Sequence, residues 1–339
     1  EDLDAGRVAR RILKALRDPF VWEGQELTIT ASIGIAVYPV DGKDAETLLR
    51  NADTAMYCAK DRGRNNYQFF SRSMNEETER KIEIERKLRR AIRDGEFELR
   101  FQPIRETTSG CVRDAEALLR WQDPEVGDVP PVDFIPVAED TGLIVPIGSW
   151  VLRAACEQAR SWQDEGFEPI RIAVNVSGYQ IRQSDFVEEV AAALRESRLA
   201  PEHLELEITE STIMQEDEET DRAFRELHEL GVGLVLDDFG TGYSSLSYLR
   251  RFQISRVKID RSFVARIPDD PEDMAVTAAI VAMSHQLLLS VIGEGVETEE
   301  QARSLTELGV EELQGYLFGS PVDVDAFEGF LIRAKDDAQ

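Results

Sequence analysis

The chain has 339 residues, enough for one large domain and a smaller one, and its 42% apolar content argues against disorder. The formal net charge of −27 argues against a nucleic acid polymer or an anionic membrane surface as partner, since lysine and arginine hold both. A small anionic ligand held locally by arginine or a cation is not excluded. Cys58, Cys111 and Cys156 form no CxxC pair, so neither zinc nor a disulfide framework is expected. A reducing compartment fits, which points to the cytoplasm, either for the chain alone or as the cytoplasmic part of a larger membrane-anchored sensor. His203, His228 and His285 show no ligand spacing and read as structural or surface residues. No signal peptide is expected. Residues 275–292 lack formal charge and approach the length of a membrane span, but Ser284, His285 and Gln286 interrupt them. They parse better as a helix over 274–286 and a buried strand over 287–292, and no membrane contact is expected.

Residues 1–70 form a first unit. Val8, Ile12, Leu13 and Leu16 mark a helix over 3–16, and the alternating, β-branched QELTITASIGIAVY predicts a strand over 25–38. Leu48, Leu49, Ala52, Met56 and Tyr57 share one face of a helix over 45–61, and a short strand covers 66–70. Residues 71–96 are highly charged with Ile84, Leu88, Ala91 and Ile92 in one stripe, an amphipathic helix read as a linker. Strands are then predicted over 97–104, 114–121, 170–176, 204–209, 232–237, 256–260, 287–293 and 312–318. Helices are predicted over 146–163, 184–196, 217–230, 274–286, 299–308 and 325–334. The acidic run 216–221 sits at a helix N-terminus, where the macrodipole favours it, and reads as a solvated first turn. Eight strands alternating with helices predict an α/β fold, a (β/α)8 barrel of TIM type. A doubly wound open sheet is the alternative.

The organising stretch is 232–260. An apolar run over 232–236 ends in adjacent carboxylates, Asp237 and Asp238, before the loop GTGYSS and a short apolar helix around Leu246 and Leu249. Alone, such a pair is as often a turn bonding its own backbone N–H groups. At the end of a buried strand it is costly to desolvate without a cation. The pattern recurs at the C-terminal strand ends, where barrels carry their active groups. The second strand carries Glu116, the third Asn175, the fourth Glu207 and Glu210, the sixth Lys258, the seventh Glu294 and Glu297, and the eighth Gln314. Charged residues are depleted inside strands, so this recurrence is unlike chance. A donor set of oxygens without His or Cys selects Mg²⁺ or Mn²⁺ over zinc. Six ligands with a shared carboxylate suit two metals about 4 Å apart, which activate a bridging water for in-line phosphoryl displacement. Lys258 is placed to hold that water or neutralise developing charge, and Arg120 to grip a phosphate. Barrel carboxylates on Mg²⁺ with a lysine also suit enolase-type proton abstraction, so the chemistry alone leaves both reactions open.

Residues 1–70 resemble the C-terminal half of a GGDEF domain, the diguanylate cyclase fold, through ITASIGIAVYP, DAETLLRNADTAMYCAK and GRNNYQFF. The signature GG(D/E)EF turn is expected upstream of Glu1, so no cyclase activity is expected from these residues. Residues 80–339 resemble an EAL domain, the cyclic-di-GMP phosphodiesterase family, through FQPI, EALLRW, FIPVAEDTGLI, VNVS, ELEITES, DDFGTGYSSLSYL, VKIDRSFV, GEGVET and QGYLFGSPV in order. The resemblance implies metal ligands at Glu116, Asn175, Glu207, Asp237, Asp238 and Glu294. It implies a catalytic lysine at Lys258, a further active-site carboxylate at Glu297, and substrate contacts at Gln102, Leu118, Arg120 and Gln314. Glu210 matches a residue that anchors the loop 238–245 and is tied to metal binding and dimerisation. Phe101, where Tyr is common, and GSP, where a polar pair before Pro is common, depart from the pattern without touching a ligand. The implied activity is hydrolysis of cyclic di-GMP to linear pGpG in bacterial second-messenger signalling, with two Mg²⁺ or Mn²⁺ ions and a homodimer through the EAL domain. The alternative is a receptor that binds the dinucleotide without cutting it. The expected division is a partial GGDEF segment over 1–70, a linker helix over 71–95 and the barrel over 96–339.

Overall fold

The structure is a computed structural model and describes residues 2–17, 19–22, 25–214, 218–240 and 252–337. The chain divides into two units, residues 1–87 and 88–339.

In the first unit a helix, Asp2–Ala15, precedes a hairpin of β1 (Phe20–Trp22) and β2 (Gln25–Leu27). β3 (Ile33–Ile35) then pairs in parallel with β4 (Tyr67–Phe69) across the helix Ala45–Asp61. Asp44 caps that helix by accepting the Thr47 N–H at 2.8 Å. Ala55, Cys58, Phe70 and Met74 form the core beneath it. The single strand predicted over 25–38 is two strands in two sheets: β2 turns back on β1, while β3 takes a parallel partner. The charged, amphipathic segment forms one helix, Arg72–Asp94. Its last turn, which belongs to the second unit, is held there by Arg90, 3.0 Å from Glu96 and 2.9 Å from the buried Asp123.

In the second unit β5 (Phe97–Glu106), β6 (Val112–Asp123), β8 (Arg171–Asn175), β9 (Leu204–Thr209), β10 (Gly233–Phe239), β11 (Arg256–Ile259), β12 (Ser290–Gly293) and β13 (Glu312–Gln314) close a barrel. β7 (Gly127–Val129) extends it at the outer end of β6. The pairings from β6 round to β13 are parallel, but β5 runs antiparallel to both its neighbours. Residues 107–111, between β5 and β6, are too few for a crossover, so the first connection is a hairpin without a helix. The fold is thus the expected α/β barrel with its first strand reversed.

Helices Pro131–Asp140, Ile144–Asp164, Phe186–Ser197, Glu218–Leu230, Pro271–Gln286, Glu299–Leu308 and Val324–Asp337 accompany the strands, with short turns such as Gly178–Ile181, Glu210–Ile213 and Arg261–Val264 at strand ends. Phe101, Trp162 and Phe327 pack with ring centroids 5.0–5.9 Å apart outside β5. Two strand boundaries in the barrel differ by three residues or more from the sequence pattern. The strand predicted from 287 begins only at Ser290, because Leu288 takes a left-handed φ of 62° and stands 93% exposed. The strand predicted to 318 stops at Gln314, where Gly315 presses so close to Val296 that a Cβ would lie 2.1 Å from its carbonyl oxygen. The predicted short helix around Leu246 and Leu249, and part of the acidic run 216–221, lie outside the described residues. Among the described residues no helix is long and apolar enough to cross a membrane. All three cysteines are buried with free thiols, and His285 pairs with Glu311 at 3.0 Å.

Candidate active site

Residues two apart on a strand face the same side. On alternate barrel strands the inward pairs are Asp114 and Glu116, Glu205 and Glu207, Arg256 and Lys258, and Glu312 and Gln314, so each strand carries a lower and an upper polar group into the lumen. The lower set closes the barrel floor. Arg256, 4% exposed, lies 2.7 Å from Glu205 and 3.3 Å from Asp114 and is paired with Glu312. Arg171 adds pairs to Asp114 and, at 3.0 Å, to Glu312. Above this ionic floor Ile104, Val235 and Ile292 form an apolar layer from the intervening strands.

The upper set is the site. Lys258, 1% exposed, places Nζ 2.5 Å from Glu294, 2.9 Å from Glu207, 3.3 Å from Glu116 and 3.8 Å from Asp237. Burial would lower this ammonium, but the surrounding carboxylates outweigh it and hold it well above the ordinary lysine value. Burial would likewise raise Glu116, yet Lys258 and the amides of Gln314 and Asn175 hold it below the ordinary glutamate value. Those amides donate to Glu116 at 2.5 Å and 2.6 Å. Gln314 also donates to Gln102 Oε1 at 3.0 Å, and Gln102 donates to the Gly319 carbonyl at 3.1 Å. Burial, with Glu116 beside it, lifts Glu207 well above its ordinary value. Burial also pushes Glu294 up to about 7, with Lys258 opposing.

Strict alternation would send Asp237 and Asp238 to opposite faces of β10. The register against β11 shifts between Leu236 and Phe239, and Asp238 takes a left-handed φ of 56°. Asp is one of the residues that tolerates this conformation, and its N–H donates to Asp237 Oδ1 at 2.9 Å. Carboxylate oxygens of Asp237, Asp238 and Glu294 consequently lie within 4.8 Å of one another. Burial and the neighbouring Asp237 raise Asp238 above its ordinary value.

A cavity of about 490 Å³ opens over this group and is lined by Gln102, Leu118, Glu116, Glu294, Glu297 and Gln314. Its far wall is formed by residues the sequence pattern did not single out, among them Arg261, Gln301 and Tyr316. The signal for two of them was present, since Arg261 follows Lys258 in VKIDRSFV and Tyr316 follows Gln314 in QGYLF. Arg120 is not among the lining residues; its Nη1 donates to the Leu119 carbonyl at 2.8 Å. Glu210 opens the turn Glu210–Ile213 after β9 and is buried, and most of the loop it was expected to anchor lies outside the described residues. The ionic floor was not anticipated either, although Asp114, Glu205, Arg256 and Glu312 each stand two places before an expected site residue.

The donor set fits a hard divalent cation. It is rich in carboxylate oxygen, and among the described residues it converges where one ammonium balances several acids and Glu207 Oε1 is buried without a hydrogen-bond partner.

Residues 85–321 match the family model described as EAL domain, and residues 1–66 match that described as diguanylate cyclase, GGDEF domain. The chain is 44% identical over 325 residues to the bifunctional diguanylate cyclase/cyclic di-GMP phosphodiesterase MucR of Pseudomonas aeruginosa, covering 96% of this chain and 47% of MucR. It is 42% identical over 338 residues to the cyclic di-GMP phosphodiesterase NbdA of the same organism, covering 100% of this chain and 43% of NbdA. The chain thus spans just under half the length of these relatives. The solved c-di-GMP complex of the PaMucR phosphodiesterase superposes with a TM-score of 0.70 at 44% identity, covering 72% of this chain and 99% of that one. The motif resemblance and the barrel are both borne out by these matches: the chain belongs to the EAL domain family.

Proposed function

We propose that this chain hydrolyses cyclic di-GMP to linear pGpG in bacterial second-messenger signalling. The observation that carries the reading is the convergence of Glu116, Glu207, Asp237 and Glu294 on one buried Lys258 beneath an open cavity. A charge group so dense is costly for the fold, and the barrel has a separate ionic floor below it. The substrate is supported by relatives named as cyclic di-GMP phosphodiesterases. Glu116, Asn175, Glu207, Asp237, Asp238 and Glu294 would hold two divalent ions, Mg²⁺ or Mn²⁺. When bound, such ions supply a water of lowered pKa and a clamp on the phosphoryl oxygens. In the hydrolysis the water oxygen bonds to phosphorus, one ester P–O bond breaks, and the water proton ends on the leaving oxygen. Lys258 stabilises the charge that develops on the phosphoryl group, and Glu297 stands by in the same cavity. Gln102, Leu118 and Gln314 form the substrate side, and Arg120, two residues beyond Leu118 on the same strand and outside the cavity lining, would have to turn from the Leu119 carbonyl to reach a phosphate.

The division into residues 1–70, 71–95 and 96–339 belongs to the same proposal, as does a cytoplasmic site of action. So does a homodimer through the barrel. Its support is the helix Pro271–Gln286, which exposes Ala275, Val276, Ala279 and Ala282 in a stretch free of formal charge.

The test is turnover of cyclic di-GMP by the purified chain with Mg²⁺ or Mn²⁺ and with chelator. Linear pGpG is expected with either metal and none with chelator. Binding without turnover would make the chain a receptor, and full activity in excess chelator would remove the cations from the mechanism.

A further inference from the structure

Two walls of the cavity come from separate parts of the chain: residues 261–265 after β11 and residues 294–298 after β12. Gln301, 7% exposed, joins them. Its Oε1 accepts the backbone N–H of Glu297 at 2.8 Å and of Thr298 at 3.0 Å, and its Nε2 donates to the Ala265 carbonyl at 3.3 Å. Donors on one side and an acceptor on the other fix the orientation of the amide. Thr298 Oγ1 in turn accepts the Gln301 N–H at 3.2 Å, which completes a capping box on the helix Glu299–Leu308. That box needs only an acceptor at this position, and glutamate serves it as well as glutamine. The bond to Ala265 needs a donor, so the cap does not account for it. The walls also meet at Gly295, φ 67°, where an added Cβ would stand 2.5 Å from Arg261 Cβ.

We infer that Gln301 is a positioning residue for the phosphodiester reaction. It sets the separation of the Glu297 loop from the turn carrying Arg261, and so the width of the cavity that receives the dinucleotide. The inference rests on the reading of that cavity as the cyclic-di-GMP site.

Gln301→Glu keeps the cap and, when ionised, removes the donor to Ala265. Its kcat/KM for cyclic di-GMP is expected to fall about tenfold, chiefly through KM, because small misplacements of a binding wall are expensive. Thermal stability and divalent-cation affinity should stay near those of the unaltered chain. As pH falls and the new carboxyl protonates, it can donate to Ala265 again and ceases to repel the anionic dinucleotide, so the deficit relative to the unaltered chain should narrow; because both effects share that trend, the bridge is decided by exchange. Hydrogen exchange gives a readout independent of turnover: amides 261–265 should exchange faster in Gln301→Glu. Gln301→Ala, which loses cap and bridge together, should lose stability as well. A wild-type kcat/KM in Gln301→Glu overturns the positioning role, and unchanged exchange at 261–265 overturns the bridge. Absence of turnover in the unaltered chain sinks the phosphodiesterase reading instead, while exchange and cyclic-di-GMP affinity in the same pair of proteins still decide the role of Gln301.

Discussion

Lys258 keeps its charge at 1% exposure only because Glu116, Glu207, Asp237 and Glu294 surround it. Lys258→Met should therefore destabilise the metal-free protein by about 3–5 kcal/mol, the cost of leaving buried charges unpaired. Added Mg²⁺ or Mn²⁺ should restore much of the loss in calorimetry, and an unchanged melting temperature without metal would refute the charge argument. Glu116→Ala and Asp237→Asn should each lower turnover by about a hundredfold or more while the circular dichroism spectrum persists. Near-normal turnover in either would mean the site is misassigned. Glu294 makes the site sensitive to pH. Its carboxyl is raised from 4.5 to about 7 in the folded chain, so folding takes up a proton between those values. Its contribution to stability is present below pH 4.5 and lost as pH rises to about 7. A cation must displace that proton, so its affinity should fall by up to about tenfold per pH unit below neutrality. Titration calorimetry on either side of neutrality tests this, and equal affinities would count against it.

The β-strand explains why the polar residues come in stacked pairs. A period of two sends Asp114 and Glu116, or Arg256 and Lys258, into the same lumen at different depths, with Ile104, Val235 and Ile292 between the layers. The lower member of each pair should matter for stability and the upper for chemistry. Arg256→Ala takes from Glu205 its close partner, leaves Asp114 and Glu312 to Arg171 alone, and should cost about 3–5 kcal/mol in denaturant unfolding. The folded fraction should keep its turnover, because the apolar layer insulates the site from the floor. A large loss of activity per folded molecule would show the two layers to be coupled. The period also marks its own exception at Asp238, where a left-handed residue returns a carboxylate that alternation would have turned away.

For the whole chain, two predictions concern parts beyond the barrel's chemistry. The 339 residues contain no GG(D/E)EF turn, and the first unit has only two short two-stranded sheets, β1–β2 and β3–β4, among its described residues. Incubation with GTP should give no cyclic di-GMP, and detectable synthesis would overturn the assignment of residues 1–70. Glu210 is the expected anchor for the loop after Asp238. Glu210→Ala should weaken metal binding and dimerisation together, with a coupling of about 1–3 kcal/mol. Sedimentation and metal titration on that variant are the check: lost activity with dimer and metal affinity intact would separate the two.

The sequence by itself determined the identity and order of the groups that matter. Strand ends, alternation and the donor types from Glu116 to Gln314 are properties of a few neighbouring residues, and local periodicity carries them. Strand boundaries slipped where the cause was elsewhere in the fold, as at Gly315, which stops β13 against Val296. Only the tertiary structure decided that β5 enters reversed, which brings Gln102 to within 3.0 Å of Gln314 across 212 residues. It alone showed that Asp237 and Asp238 share a face, that a second ionic layer closes the floor, and that one amide ties Glu297 to Ala265. The floor and the Gln102–Gln314 contact depend on the closure and shear of the barrel, and the other two on a backbone irregularity and a loop contact, all of them distances between segments whose sequences carry no record of one another.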